Sequence, residues 1–209
     1  MSEKQPTPRN SPALLSVVVP CFNEQEVLPQ THRRLIDVLG REASLELEMV
    51  YVDDGSSDAT PGILNSFADA DDRVVVVSLA RNFGHQAAVT AGLQYASGDA
   101  VAVIDADLQD PPEVVVEMIA KWRDGYDVVY GVRARREGGI VKRAAYRLFY
   151  RFMRAMVSID VPLDSGDFSL MDRRAVDALN SLPERNRFIR GLRAWIGLRQ
   201  IGIPYRRPA

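Results

Sequence analysis

Three aspartates and a glutamine follow an apolar run in the segment V-I-D-A-D-L-Q-D-P-P-E, residues 103–113. In extended backbone, Asp105 and Asp107 project to the same side, roughly 7 Å apart. Hard divalent cations such as Mg²⁺ and Mn²⁺ take oxygen ligands, often one or two carboxylates together with the phosphate oxygens of a substrate. The pair therefore predicts a cation site beside a diphosphate, where negative charge grows on a leaving group. Asp110 has a weaker claim, because D-P-P-E is typical of a turn into a helix, with Asp110 near its N-cap.

Two other apolar runs end in similar clusters, P-C-F-N-E at residues 20–24 and D-D-G-S-S-D at residues 53–58. Asp, Asn, Gly and Ser are common in turns, so one such cluster alone says little. In open α/β sheets, however, ligands bind outside the carboxyl ends of the strands. Three polar clusters at three strand ends favour one shared binding site.

The elements that must position these clusters alternate between strands and helices. Five β-branched runs predict strands at Ser16–Pro20, Leu47–Asp53, Arg73–Leu79, Ala100–Asp105 and Asp127–Val132. Helices are predicted near Glu24–Leu39, Pro61–Ala70, Gly84–Ala96 and Pro112–Arg123, and Thr60 before Pro61 is typical of an N-cap. This order predicts an α/β fold in which a mostly parallel sheet is covered by helices on both faces.

Composition and absent motifs exclude several classes of protein. The 209 residues are 46% hydrophobic and 26% charged, with a net charge of −2, which is typical of one folded domain. We expect a loose tail over residues 1–13 and one domain over residues 14–209. The single cysteine, Cys21, excludes an intrachain disulfide. Neither G-x-G-x-x-G nor a P-loop is present. Of the two histidines, His85 lies in R-N-F-G-H-Q, where a capping or surface role is favoured over a ligand contact.

Arginines dominate from Arg133 onward, and residues 139–158 combine them with apolar pairs spaced by four. This pattern predicts a basic amphipathic helix that either lies in a membrane interface or packs on the sheet with its arginines solvated. No nucleic-acid-binding motif accompanies the basic residues, so we expect no nucleic-acid partner. No run reaches the roughly 18 to 20 apolar residues that span a bilayer.

Four motifs in this order and spacing closely resemble family 2 glycosyltransferases with the GT-A fold. They are S-V-V-V-P-C-F-N-E, V-D-D-G-S-S-D-A-T, A-R-N-F-G-H-Q-A-A-V-T-A-G-L and D-A-D-L-Q-D-P-P-E. Within the family, the chain resembles the polyprenyl-phosphate branch, which includes dolichyl-phosphate mannose synthases and bacterial undecaprenyl-phosphate glycosyltransferases. The resemblance implies inverting transfer of a hexose or hexose derivative from a nucleoside diphosphate sugar to a polyprenyl phosphate, at the cytoplasmic face of a membrane. A UDP-sugar is favoured and GDP-mannose is compatible.

The resemblance also implies roles for individual residues. Asp107 and Gln109 would hold the cation, Mg²⁺ or Mn²⁺. The catalytic positions would be Asp107, Asp167 at the acceptor side of the sugar, and two phosphate-facing arginines, Arg133 and Arg147. The nucleotide-binding positions would be Pro20, Asn23, Glu24, Asp53, Asp54 and, near the ribose, Asp105.

The acceptor decides what Asp167 must do. A sugar hydroxyl needs a positioned base to take its proton. A phosphate monoester, whose second pKa is about 6, is already largely dianionic at neutral pH and attacks unaided. We therefore expect Asp167 to orient substrates if the acceptor is a lipid phosphate, and to act as a base if it is a saccharide hydroxyl. A catalytically silent sugar-nucleotide binding module is a third hypothesis, which the intact D-A-D-L-Q argues against.

Members of this branch usually continue past the equivalent of P-Y-R-R-P-A with a basic segment and, in many bacterial members, two membrane-spanning helices. This sequence ends at Ala209, before any such region. The protein would be peripheral as given, and integral if that region follows. A homo-oligomer is also compatible with the sequence.

Overall fold

Seven strands form one sheet in the computed structural model, which describes residues 13–42, 45–133 and 165–207. The strands are β1 (Ala13–Cys21), β2 (Leu45–Asp53), β3 (Val74–Ser78), β4 (Ala100–Val103), β5 (Val128–Arg133), β6 (Ser165–Asp172) and β7 (Gln200–Tyr205). The helices are α1 (Leu28–Leu39), α2 (Thr60–Ala70), α3 (His85–Tyr95), α4 (Pro112–Arg123), α5 (Arg173–Asn180) and α6 (Ile189–Trp195).

The strand order is β3-β2-β1-β4-β6-β5-β7, and the predicted mostly parallel sheet is confirmed. β1 pairs in parallel with β2 and β4, β2 with β3, and β5 with β7. β6 is the exception, because it runs antiparallel to both of its neighbours, β4 and β5. Its first residues therefore lie at the edge of the sheet where the parallel strands end.

Helices cover both faces of the sheet, as predicted. Val17 and Val19 of β1 pack in a cluster with buried residues of α1, α2 and α4. Val18, which points to the other face, packs with residues of α3, α5 and α6. A strand that is apolar on both faces reads as a continuous hydrophobic run, which explains the S-V-V-V-P pattern of β1.

The predicted boundaries fail where local hydrogen bonds compete with the sequence pattern. α1 begins at Leu28 rather than near Glu24, because Glu24 O accepts the backbone N–H of Val27 and of Leu28 in a turn. Thr60 is not an N-cap, since α2 already includes it and Ala59 is the capping residue. The backbone N–H of Thr60 instead donates to Asp58 Oδ1 at 2.9 Å.

The last four elements, β6, β7, α5 and α6, were not predicted from the sequence. The predicted tail up to residue 12 and the basic amphipathic segment 139–158 lie outside the described residues. Within the described ranges, none of the helices has both the length and the apolar character needed to cross a bilayer.

Candidate active site

The carboxyl ends of β1, β2 and β4 meet at one edge of the sheet and open into a cleft of about 260 Å³. Three predicted site residues near the nucleotide, Pro20, Glu24 and Asp54, line this cleft. Asp105 and Asp107 line it as well. The prediction that separate strand-end clusters share one site is therefore confirmed in its geometry.

The loops after β1 and β2 are tied together by their own polar side chains. The backbone N–H of Asn23 donates to Ser56 Oγ, and Asn23 Oδ1 accepts the backbone N–H of Ser57, both at 2.9 Å. Asn23 has a φ of +56°, a left-handed conformation that asparagine tolerates. The backbone N–H of Glu24 donates to Thr60 Oγ1 at 2.9 Å. Asn23 thus builds the wall of the site, and its role toward the nucleotide stays a prediction.

Asp53 ends β2 and Asp54 follows it, and both are almost fully buried. Asp53 Oδ1 accepts the backbone N–H of Ser56 at 3.1 Å. Asp54 accepts the backbone N–H groups of Phe83 and Gly84 at 2.8 and 2.9 Å, so it fixes the loop before α3. Of the two, Asp54 lines the cleft. Their predicted contact with the base stays a prediction.

Gly55 allows the loop before α3 to lie against the end of β2. Its φ is +70°, and a Cβ at this position would come within 2.4 Å of the carbonyl carbon of Arg81. Any side chain here would push away the loop that carries His85 into the cleft.

The D-A-D-L-Q-D loop follows β4, which ends at Val103, so the aspartate pair lies in a turn rather than in extended backbone. Asp107 Oδ1 accepts the backbone N–H of Gln109 at 3.0 Å. Leu108 between them has a φ of +57°, an unfavourable conformation for this residue type. Strained backbone of this kind persists where the surrounding structure enforces it, often at ligand sites.

Asp110 lies near the start of α4, as predicted, but its side chain does not cap the helix. The capping residue of α4 is Pro111, and no side chain caps this helix. Asp110 is 1% exposed. It accepts hydrogen bonds from the Tyr205 hydroxyl and, at 3.1 Å, from Arg207 Nε. Tyr205 at the end of β7 and Arg207 just after it therefore hold the D-A-D-L-Q-D loop in place. They lie far from that loop in the sequence, so no local motif reveals the contact.

Arg207 also reaches the predicted cation ligands. Its Nη1 donates to Gln109 Oε1, and its Nη2 lies 3.9 Å from Asp105 Oδ2. The guanidinium is a positive charge beside the carboxylates. Gln109 does not line the cleft, so its predicted role as a metal ligand stays a prediction.

Glu24, Asp105 and Asp107 form what we call the acidic end of the cleft, and its chemistry fits a divalent cation. Burial raises the pKa of Glu24, and the charges of Asp107 and Asp105 raise it further. Burial also raises the pKa of Asp105, although His85 opposes the rise. A hard cation relieves such mutual repulsion. Across the described residues, no group of three His, Cys, Asp or Glu side chains is placed to hold a metal ion by itself.

His85, Asp167 and Arg190 form the opposite, basic end. Asp167 Oδ2 accepts a hydrogen bond from Gln86 Nε2 at 2.7 Å and lies 3.3 Å from His85 Nε2. Asp167 Oδ1 lies 3.5 Å from Arg190 Nε. The Asp167 side chain is only 10% exposed. Burial alone would raise the pKa of Asp167, but the His85 hydrogen bond and the Arg190 charge hold it below its ordinary value.

His85 connects the two ends. Its side chain is 43% exposed, in agreement with the surface role favoured from the sequence, and it makes no capping hydrogen bond. It is the first residue of α3, whose N-cap is Gly84. Its Nε2 lies 3.8 Å from Asp105 Oδ1 as well as close to Asp167. The hydrogen bond with Asp167 raises the pKa of His85.

Gln86, Arg190, Tyr205 and Arg207 were also missed. For Gln86, the one local signal was the stretch G-H-Q at the start of α3, where a glycine precedes the histidine and the glutamine. Arg190 and Tyr205 lie in α6 and β7, which the sequence did not predict, and Arg207 follows β7.

The two predicted phosphate-binding arginines have different outcomes. Arg133 ends β5 and is exposed, and its Nε donates to the Tyr205 hydroxyl at 3.4 Å. Arg133 therefore lies near Tyr205, which holds the D-A-D-L-Q-D loop through Asp110. Arg147 lies outside the described residues. The predicted contacts of both arginines with phosphate stay predictions.

Sequence comparisons identify relatives along most of the chain. Residues 16–179 match the family model described as "Glycosyl transferase family 2". An uncharacterized glycosyltransferase of Bacillus subtilis, YkcC, is 47% identical over 91% of this chain and 59% of its own length. The bactoprenol glucosyl transferase of Shigella phage SfV is 42% identical over 88% of this chain and 60% of its own length. The chain thus spans about three fifths of these relatives.

Solved structures share the GT-A fold at lower identity. The mannosyltransferase PcManGT from Pyrobaculum calidifontis, in complex with GDP-Man and Mn²⁺, aligns with a TM-score of 0.64 at 22% identity. The alignment covers 95% of this chain and 57% of the mannosyltransferase chain. Glucosyl-3-phosphoglycerate synthase from Mycobacterium tuberculosis, in complex with Mn²⁺, UDP and its product, aligns with a TM-score of 0.63 at 21% identity. That alignment covers 94% of this chain and 71% of the synthase.

Proposed function

This chain belongs to glycosyltransferase family 2, and we propose that it transfers a hexose or hexose derivative from a nucleoside diphosphate sugar to a polyprenyl phosphate such as undecaprenyl phosphate. An oxygen of the acceptor phosphate attacks the anomeric carbon, the bond from that carbon to the diphosphate breaks, and the nucleoside diphosphate leaves. Direct displacement inverts the anomeric centre. A UDP-sugar is the favoured donor, and GDP-mannose is the alternative.

The acidic end is the proposed donor end of the cleft. Asp107 would hold a divalent cation, Mg²⁺ or Mn²⁺, on the donor diphosphate. Gln109 would join it as a ligand once its hydrogen bond with Arg207 is broken. Such a cation neutralises the charge that grows on the leaving diphosphate. The crystallisation of two fold neighbours with Mn²⁺ supports this requirement. Pro20, Glu24 and Asp54 would form the surface against the nucleotide, and Asp105 would face the ribose.

The environment of the Asp167 carboxylate is the observation that favours a phosphate as the acceptor. A general base must accept a proton from the attacking group. Asp167 is instead nearly buried, it is hydrogen-bonded to Gln86, and its pKa is held below its ordinary value. These properties suit a fixed anionic anchor better than a proton acceptor. An acceptor that needs no base, such as a phosphate monoester, matches this arrangement.

The proposed acceptor also determines where the enzyme works. A polyprenyl phosphate lies in a membrane, so the enzyme would act at a membrane surface, and we propose the cytoplasmic face. The relatives named bactoprenol glucosyl transferases support a lipid-linked acceptor.

A transfer assay with paired acceptors tests the function. The protein would receive labelled UDP-glucose or GDP-mannose, with Mg²⁺, Mn²⁺ or EDTA, and either undecaprenyl phosphate or undecaprenol. We expect label to enter the lipid fraction only with the phosphate and only with a divalent cation. Transfer to undecaprenol or to a saccharide hydroxyl, with none to the phosphate, would refute the proposal. Donor binding without transfer to any acceptor would favour a silent binding module.

A further inference from the structure

We propose that His85 and Arg190 form a phosphate-binding subsite for the acceptor, and that Asp167 is the anchor that fixes both side chains. This inference rests on the proposed function, because the acceptor that it serves is a phosphate monoester. It gives the basic end of the cleft a task that neither the family match nor the sequence motifs assign to these two residues.

Arg190 is held in place and remains accessible. Its Nε lies 3.5 Å from Asp167 Oδ1, and its guanidinium carbon lies 5.2 Å from the centre of the Phe188 ring. The side chain is nevertheless 37% exposed. A guanidinium that is fixed by an anion and an aromatic face still presents N–H groups in a geometry that matches phosphate oxygens.

His85 presents a second donor from the other side of Asp167. Its Nε2 lies 3.3 Å from Asp167 Oδ2, its side chain is 43% exposed, and it lines the cleft. It begins α3, which has no acidic residue in its first turn. The positive end of the α3 dipole adds to the same field. His85 and Arg190 thus flank one carboxylate, and His85 lines the cleft.

Arg193 is a third cation near Asp167 and is 1% exposed. It forms no ion pair with a carboxylate within the described ranges, and its Nη1 has no hydrogen-bond partner. Its guanidinium lies 5.1 Å from the centre of the Tyr130 ring, and burial lowers its pKa to about 10. Asp167 therefore has His85, Arg190 and Arg193 around it, and His85 also lies 3.8 Å from Asp105 Oδ1.

Phosphate could reach this subsite from two sources, the acceptor monoester or the donor diphosphate. The donor diphosphate is drawn to the acidic end by its cation, since phosphate without a cation is repelled by Glu24, Asp105 and Asp107. The basic end needs no cation to attract a dianion. This difference favours the acceptor as the ligand of His85 and Arg190, and binding measurements can separate the two sources.

Isothermal titration of the protein with geranyl phosphate and, separately, with UDP and Mg²⁺ tests the subsite. We expect Arg190→Gln to weaken geranyl phosphate binding at least tenfold and to change UDP binding less than twofold. Arg190→Lys should recover part of the loss, because it restores the charge without the planar fork. Arg185→Gln is the matched control, since it removes an exposed arginine a few residues away and should leave both affinities unchanged. His85→Asn should weaken geranyl phosphate binding to a smaller extent.

The outcomes separate this inference from the proposed function. Equal binding of geranyl phosphate by the wild type and by Arg190→Gln would overturn the subsite and leave the proposed function intact. Loss of UDP binding in Arg190→Gln would assign the subsite to the donor and overturn the inference. A wild type that binds UDP but no geranyl phosphate would refute the proposed acceptor and this inference with it. Melting temperatures of all variants establish that each one is folded.

Discussion

The two ends of the cleft differ both in charge and in how the chain builds them. At the acidic end, Glu24, Asp105 and Asp107 come from loops that directly follow strands, and the charge of Asp107 helps to raise the pKa of Glu24 and of Asp105. At the basic end, Asp167 is matched by His85 and Arg190 from two helix starts. The acidic end thus gathers carboxylates that a cation would relieve, whereas at the basic end a carboxylate already lies beside cationic side chains.

Replacing Asp107 by Asn should have the largest effect, because it removes a proposed cation ligand from the end that depends on one. We expect turnover to fall by about 100- to 1,000-fold, a loss of transition-state charge stabilisation, with little change in melting temperature. A transfer assay under saturating donor measures the loss. Asp124→Asn is the control, since Asp124 is an exposed carboxylate paired with Lys121. Near-normal turnover in the Asp107 variant would refute its role as a ligand.

Replacing Asp167 by Asn should separate the functions of the two ends. Asn keeps an oxygen for Gln86 but loses the charge that holds His85 and Arg190. We expect kcat/KM for the acceptor to fall by about 10- to 100-fold, while the donor affinity stays within twofold. Steady-state kinetics with each substrate varied in turn measures both effects. A loss of about 10,000-fold in kcat with unchanged acceptor affinity would instead identify Asp167 as a general base.

Replacing Arg207 by Ala tests how the acidic end is supported from β7. Asp110 would stay buried with the Tyr205 hydroxyl as its remaining side-chain partner. We expect the free energy of unfolding to fall by about 1–3 kcal/mol, because a buried carboxylate loses a charged donor. Urea denaturation measures the change. Arg206→Ala, which truncates the exposed neighbour, should change the stability by less than about 0.5 kcal/mol. Equal effects of the two substitutions would contradict the anchoring role.

The smallest expected effect is a pH dependence at the basic end. The folded pKa of His85 is raised by Asp167 above its unfolded value of about 6.5. Its contribution to stability is therefore complete below that pH and disappears as pH rises through the folded pKa. Asp167 stays ionised in both states above pH ~5, so it adds no slope there.

We expect the difference in unfolding free energy between the wild type and His85→Gln to be at most about 1 kcal/mol, because the side chain is partly exposed. The difference should shrink from pH 6 toward pH 9 in urea titrations. A difference that grows with pH would show that His85 is not stabilised in its charged form.

The sequence predicted the acidic end better than the basic end for a physical reason. Asp105 and Asp107 lie within one contiguous motif after an apolar strand, so strand periodicity alone places them at the ligand edge. The contacts of Asp110 could not be predicted, because its partners, Tyr205 and Arg207, lie more than 90 positions away. No local pattern encodes such a contact.

Three later elements, β6, α6 and β7, were missed because their sequences are not typical of their structures. β6 reads S-G-D-F-S-L-M-D and β7 reads Q-I-G-I-P-Y, with glycine, proline and aspartate in place of β-branched runs. α6 is short, with no side-chain cap. Asp167 was identified only through family resemblance, and its partners Gln86 and Arg190 became visible only when the fold placed their helices beside it.

The reversed direction of β6 determines where the chain can change in length without changing the sheet. β5 leaves the sheet at Arg133, and β6 returns at Ser165, paired with Val132. Both points lie at the edge where the parallel strands end, so the chain leaves and re-enters the sheet on the side of the cleft. Changes of length between these two points therefore alter no strand pairing that the structure describes.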